Sequence, residues 1–112
     1  MKTIKPPASR PHDAAVVDML KADPDFADVY LAAALEEADQ PGGQQALPAA
    51  LRQIAEAQGM ASVAQRAGIP RESLYRALSP SGNPTVKTLL AVLGAAGLQL
   101  AVTRLPAENA HA

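Results

Sequence analysis

The sequence contains no cysteine and no tryptophan, and only one phenylalanine and two tyrosines. Without cysteine there can be no disulfide, no thiolate metal ligand and no thiol nucleophile, a composition that fits a reducing cytoplasm. With so few aromatics, the 48% of residues that are hydrophobic must build a core from alanine and leucine. Small side chains let helices approach closely, and such a core suits an all-α fold better than a sheet. No apolar run approaches the roughly 18 residues of a membrane span, so no membrane partner is expected. The opening Met1-Lys2-Thr3-Ile4-Lys5-Pro6-Pro7 carries positive charge without an apolar stretch behind it, unlike a signal peptide.

Groups for catalysis are also scarce. His12 and His111 stand near the two ends with no second ligand at metal spacing. Ser79 and Ser81 have no His or Lys base close by in sequence. Gly42-Gly43 and Gly82 lack the lysine of a phosphate loop. The expectation is a protein that is not an enzyme and needs neither metal nor cofactor.

What is present is a charge asymmetry. Residues 1–39 carry four cations and eight anions, net −4, whereas residues 40–112 carry six cations and three anions, net +3. An overall charge of −1 hides an acidic half and a basic half, the second of which could approach a polyanion. With 112 residues the chain suits one domain and a short appendage.

Punctuation along the chain predicts the elements. Residues 1–12, with Pro6, Pro7 and Pro11, read as a flexible arm. A helix is expected over 13–22, capped by Asp13 and burying Val16, Val17 and Leu20. A second starts at Asp23-Pro24-Asp25 and runs to about Ala38, with Phe26, Val29, Tyr30 and Ala33 as its buried stripe. These two make an N-terminal helical extension, 13–40. The main domain is expected over 41–105. It opens with a helix from Gln45 to Gln58, in which Pro48 is tolerable only in the first turn. Segments 61–67, 71–78 and 85–96 follow as helices. After Gly97, Leu98, Leu100 and Val102 alternate with Gln99, Ala101 and Thr103, which predicts a short C-terminal β-strand. A lone strand is unstable, so Leu98, Leu100 and Val102 are expected to pair with a second copy or with a partner. The tail 106–112 reads as disordered.

The functional reading rests on Met60–Ser79, MASVAQRAGIPRESLYRALS. Ala64 is small where two short helices would cross, and Gly68 tolerates the turn between them. Val63, Ala67, Ile69, Leu74, Ala77 and Leu78 point to one core. Pro70 opens the second helix, leaving Arg71, Glu72, Ser73, Tyr75 and Arg76 outward.

This unit resembles the helix-turn-helix of the phage repressor/Cro (Xre-like) family, with Ala64, Gly68 and Leu74 at its fifth, ninth and fifteenth places. The wider stretch from "ALRQIAEAQG" through "RESLYRALSPSGNPTVKTLL", with "DVYLAAALEEAD" upstream, is similar to the addiction-module antidote proteins (antitoxins) of bacterial toxin–antitoxin systems. The resemblance covers about Asp13 to Val102. Pro48 departs from it and puts the start of the third helix in doubt. The resemblance implies a repressor-like domain of about five helices, a homodimer on operator DNA, repression of its own operon and neutralisation of a RelE/ParE-like cognate toxin.

A helix in the major groove reads bases with its first turns. Arg71 is the expected guanine reader, and Arg76 contacts a base or a phosphate. Glu72 accepts from a cytosine or holds Arg76 at i+4. Tyr75 contacts the backbone or packs as a half-buried ring. Ser62, Ser79, Ser81, Asn83, Thr85 and Lys87 are expected phosphate clamps, although the Ser79–Thr85 loop also reads as a capped turn. Gln65 and Arg66 rank lower. Two other functions share these features: a repressor without a toxin, and a protein-binding inhibitor without DNA binding.

Overall fold

The computed structural model describes residues 9–107, so most of the expected N-terminal arm and most of the C-terminal tail lie outside the described residues. Six helices occur among them: α1 (Ser9–Ala22), α2 (Phe26–Ala38), α3 (Ala46–Gln58), α4 (Met60–Ala67), α5 (Arg71–Ala77) and α6 (Val86–Ala95). The expected all-α class is observed.

α3 is the central element, packing against α1, α2, α4 and α6. Its sequence explains this, because Ala50, Leu51, Ile54 and Ala55 are all essentially buried and cover more than one face. Pro48 is its third residue, within the first turn, where a missing N–H breaks no helical bond. α4 packs on α3, α5 and α6. Val63, Leu74, Leu78, Val92 and Leu93 are buried to within 1% and join α1–α3 in one continuous core. Each such side chain contributes about 1.5–3 kcal/mol relative to exposure.

Three local expectations are corrected. α1 begins at Ser9 rather than Asp13, so Asp13 lies inside the helix and its carboxylate serves a tertiary contact instead of a cap. α2 begins at Phe26 rather than at Asp23. Asp23 and Pro24 form a tight lead-in whose carbonyls accept from Phe26 and Ala27, and Asp25 makes no side-chain cap. The buried stripe of α2 is Ala27, Leu31 and Ala34, with Phe26 and Tyr30 partly buried beside it and Val29 61% exposed. In so alanine-rich a helix two adjacent faces are nearly equally apolar, and packing on α3 selects the one with Leu31.

The expected strand over Leu98–Val102 is not formed. Residues 98–106 contain no strand, and no other segment among the described residues forms one. The alternation is used otherwise. Gly97, at φ +84, turns the chain back, so that the Leu98 N–H donates to the Leu93 carbonyl at 2.8 Å and the Gly97 N–H to Gly94 at 3.1 Å. This double bond pattern ends α6 and presses Leu98 onto the core. Leu100 and Val102 remain exposed.

Candidate nucleic-acid interface

α4 and α5 are joined by three residues. Gly68 adopts the left-handed conformation, φ +72 and ψ +30, which costs a side-chain-bearing residue energy but not glycine. The Ile69 N–H donates to the Ala64 carbonyl at 3.0 Å and the Gly68 N–H to Gln65 at 3.2 Å, closing the end of α4. Ala64 is buried and Ile69 is packed on the core. Pro70, at φ −57, then leads into α5. The inner face of α5 is fixed by Leu74, with Leu78 just past its end, both fully buried.

Its outer face is what the sequence predicted. Arg71, Glu72, Tyr75 and Arg76 are exposed and Ser73 is half-buried. Among the described residues none of the four charged groups Arg71, Glu72, Arg76 and Lys87 forms an ion pair, so the option in which Glu72 holds Arg76 is not realised. The Arg71 guanidinium carbon lies 5.6 Å from the centre of the Tyr75 ring, a cation–π stack one turn apart. Arg76 reaches only to 3.5 Å from the Ser73 hydroxyl, too far for a strong hydrogen bond.

The loop after α5 is held close. A side chain at Gly82 would meet the carbonyl oxygens of Arg76 and Ala77 at 2.4 Å, so only glycine permits this approach. The Ser79 hydroxyl donates to the Arg76 carbonyl at 2.9 Å and lies 3.5 Å from that of Ser81. Thr85 caps α6, its hydroxyl oxygen accepting from the Thr88 N–H at 3.1 Å. Thereby Ser79 and Thr85 have structural duties, whereas Ser81, Asn83 and Lys87 are exposed. Ser62 is exposed too, but its oxygen accepts from Arg66 at 2.6 Å.

Arg66 is the first residue whose role the sequence did not disclose. Its guanidinium also donates to the Ala95 carbonyl at 2.8 Å and to the Gln58 side-chain oxygen at 3.0 Å, while Gln58 donates to the Ala96 carbonyl at 3.0 Å. One cation thus ties the end of α3 and the start of α4 to the negative end of α6. The second is a polar network on Gln53, 2% exposed. The Tyr30 hydroxyl donates to the Gln53 oxygen, and the Gln53 amide donates to Asp13. Arg52 donates to Asp13 at 2.7 Å and lies 4.0 Å from Glu56. Burial first, and the Asp13 charge second, push the Tyr30 hydroxyl pKa above its ordinary value. Only the Arg52–Glu56 spacing was visible in sequence; the remaining partners are 23 to 40 residues apart.

No group of three or more metal-ligating side chains occurs among the described residues, nor is any helix there long and apolar enough to cross a membrane. Comparison with known families decides the lineage: a model described as "Probable addiction module antidote protein" matches residues 10–104. The chain belongs to that family. Its match spans all six helices, so the acidic α1–α2 pair and the α4–α5 unit are both parts of the antidote-family fold. A relative described as an uncharacterized protein, from Haemophilus influenzae strain Rd, is 44% identical over 68 residues, which is 61% of this chain and 70% of the relative. No solved structure shows a significant match.

Proposed function

We propose that this antidote-family protein is an antitoxin that binds operator DNA through a helix-turn-helix, α4 and α5, represses its own operon as a dimer, and neutralises a RelE/ParE-like toxin. The observation that carries the DNA reading is the outer face of α5. It holds two exposed arginines that form no ion pair among the described residues, on a helix whose inner face is locked into the core. A guanidinium fork matches the two acceptors of a guanine edge, which is the role of Arg71. Arg76 and Tyr75 contact the sugar–phosphate backbone next to it, and Glu72 and Ser73 discriminate at neighbouring bases. Lys87, Ser81 and Asn83 hold phosphates beside the reading helix, with Ser79, Thr85 and Ser62 contributing whatever bonding their structural partners leave them.

The family description supports a toxin partner and a regulatory rather than enzymatic role. The surface suited to that partner is the outer side of α1 and α2. On these helices Asp18, Asp28 and Glu36 are exposed, with Asp39 just after α2, as are the apolar Met19, Val29 and Leu35. The second copy is expected to cover Leu100 and Val102. Leu98, turned into its own core, is no longer free for that contact.

Two measurements test the reading. The purified chain should shift DNA from upstream of its own gene, with affinity falling steeply as salt is raised. Absence of a sequence-preferring shift would leave only a protein-binding inhibitor. Co-expression with the product of the adjoining reading frame should restore growth if that product is a toxin; failure to rescue would leave a plain repressor.

A further inference from the structure

Between the N-terminal helices and the reading helix lies a cleft of about 740 Å³. It is lined from α1–α3 by Asp13, Tyr30, Glu37, Arg52, Gln53 and Glu56, and from α5 and the turn after it by Tyr75 and Ser79, among others. Three carboxylates thus face one guanidinium, an excess of two negative charges with His12 neutral. That guanidinium is already shared, 2.7 Å from Asp13 and 4.0 Å from Glu56, and Glu37 has no ion pair among the described residues. Alanines 33, 34, 46 and 49 provide apolar wall between these groups. A cation on an apolar stem meets both the excess carboxylates and the alanine wall, whereas an anion would find only Arg52, already shared with Asp13 and Glu56, to pair with. Two tyrosine rings favour a planar guanidinium over an ammonium, because it stacks as well as pairs. The Arg71 guanidinium carbon lies 5.6 Å from the centre of the Tyr75 ring, within cation–π range.

We propose that this cleft seats an arginine side chain presented by the protein partner of this antitoxin. The antitoxin reading supplies only the identity of the partner; the chemistry of the seat stands on the lining. The test is a solution NMR titration of the full chain with the capped tripeptide Gly-Arg-Gly, beside Gly-Gln-Gly and Gly-Glu-Gly. The arginine peptide alone should move the ring resonances of Tyr30 and Tyr75 saturably. E37Q, at an exposed position, and the double variant E37Q/E56Q should weaken that binding by about threefold to tenfold, as expected for partly exposed ion pairs. Neither Glu is assigned to DNA, so the promoter shift of both variants should match that of the parent protein. A response as large with the glutamine peptide, no saturable response, or undiminished affinity in E37Q would overturn the proposal. Loss of DNA binding in the parent protein with the arginine response intact would instead overturn the operator reading and leave the seat standing.

Discussion

The guanidinium of Arg71 lies near the face of Tyr75, and its proposed use, on the edge of a base, is compatible with that. The approach to the Tyr75 ring, 5.6 Å from its centre, uses the face of the guanidinium and not its N–H edge, so the edge stays available for the base contact proposed above. Arg71→Ala is therefore expected to cost about 1–3 kcal/mol of operator affinity and to relax choice at one position, and Arg71→Lys to recover little of it. Lys87→Ala should weaken all sequences alike and lower the salt slope by about one. Competition binding with single-base operator variants at several salt concentrations separates the two, and equal loss of specificity in both would overturn the assignment. Tyr30 allows a test independent of DNA. Its pKa is raised in the folded state, so between about pH 10, the ordinary phenol value, and that raised value the unfolded chain sheds its proton first. The stability from this effect is whole below pH 10 and is lost as the pH rises through the window. Tyr30→Phe should cost about 0.5–1.5 kcal/mol at neutral pH through its lost bond to Gln53, yet show a shallower decline above pH 10 in urea unfolding. The contrast between these residues shows what a sequence discloses. Arg71 and Tyr75 are four apart on one helix and could be paired by counting. Tyr30, Gln53 and Asp13 meet only because α1 and α2 fold across α3, and nothing local marks Gln53 as a buried residue.

Helices were legible wherever their boundaries are set by chain chemistry: Gly68-Ile69-Pro70 separates α4 from α5, Thr85 opens α6, and Gly97 closes it. They were misjudged where tertiary packing decides, as in the face of α2, and where a pattern lacked a partner, as in Leu98–Val102. Arg66 belongs with the second group, since its bonds to Gln58 and Ala95 exist only once α3, α4 and α6 are assembled. Because its guanidinium bonds within the fold, Arg66→Met should destabilise it by roughly 1–2 kcal/mol, from lost charged hydrogen bonds and the helix-end interaction. It should weaken operator affinity without altering base preference. A changed preference profile would show that Arg66 itself touches DNA. Thr85→Ala, which removes the cap of α6, should cost about 1 kcal/mol in thermal unfolding. If DNA affinity falls by more than that loss explains, the Thr85 hydroxyl also contacts phosphate.

At the scale of the molecule, one core unites the acidic and basic halves, and the cleft between α1–α3 and α5 brings the two proposed surfaces next to each other. As the proposed reading helix, α5 has only seven residues, Arg71–Ala77, too few to hold an operator alone. Helix-turn-helix repressors combine two reading helices on half-sites roughly 34 Å apart, so the operator binding proposed here needs a contact that fixes the second copy. The chain displays exposed apolar side chains after α6 that its own core does not use, Leu100 at 42% and Val102 at 101% exposure. Leu98 shows why these two can be tested cleanly: it closes the end of α6, whereas Leu100 and Val102 stand beyond that closure. Leu100→Asp with Val102→Asp should therefore leave the thermal unfolding of the isolated fold nearly unchanged. It should shift the protein to monomer in sedimentation equilibrium and weaken operator binding by about tenfold or more, as the second reading helix loses its tether. A dimer that survives the double substitution would move the two-fold contact elsewhere, and the exposed pair Val86 and Leu90, one turn apart on α6, would be the next surface to substitute.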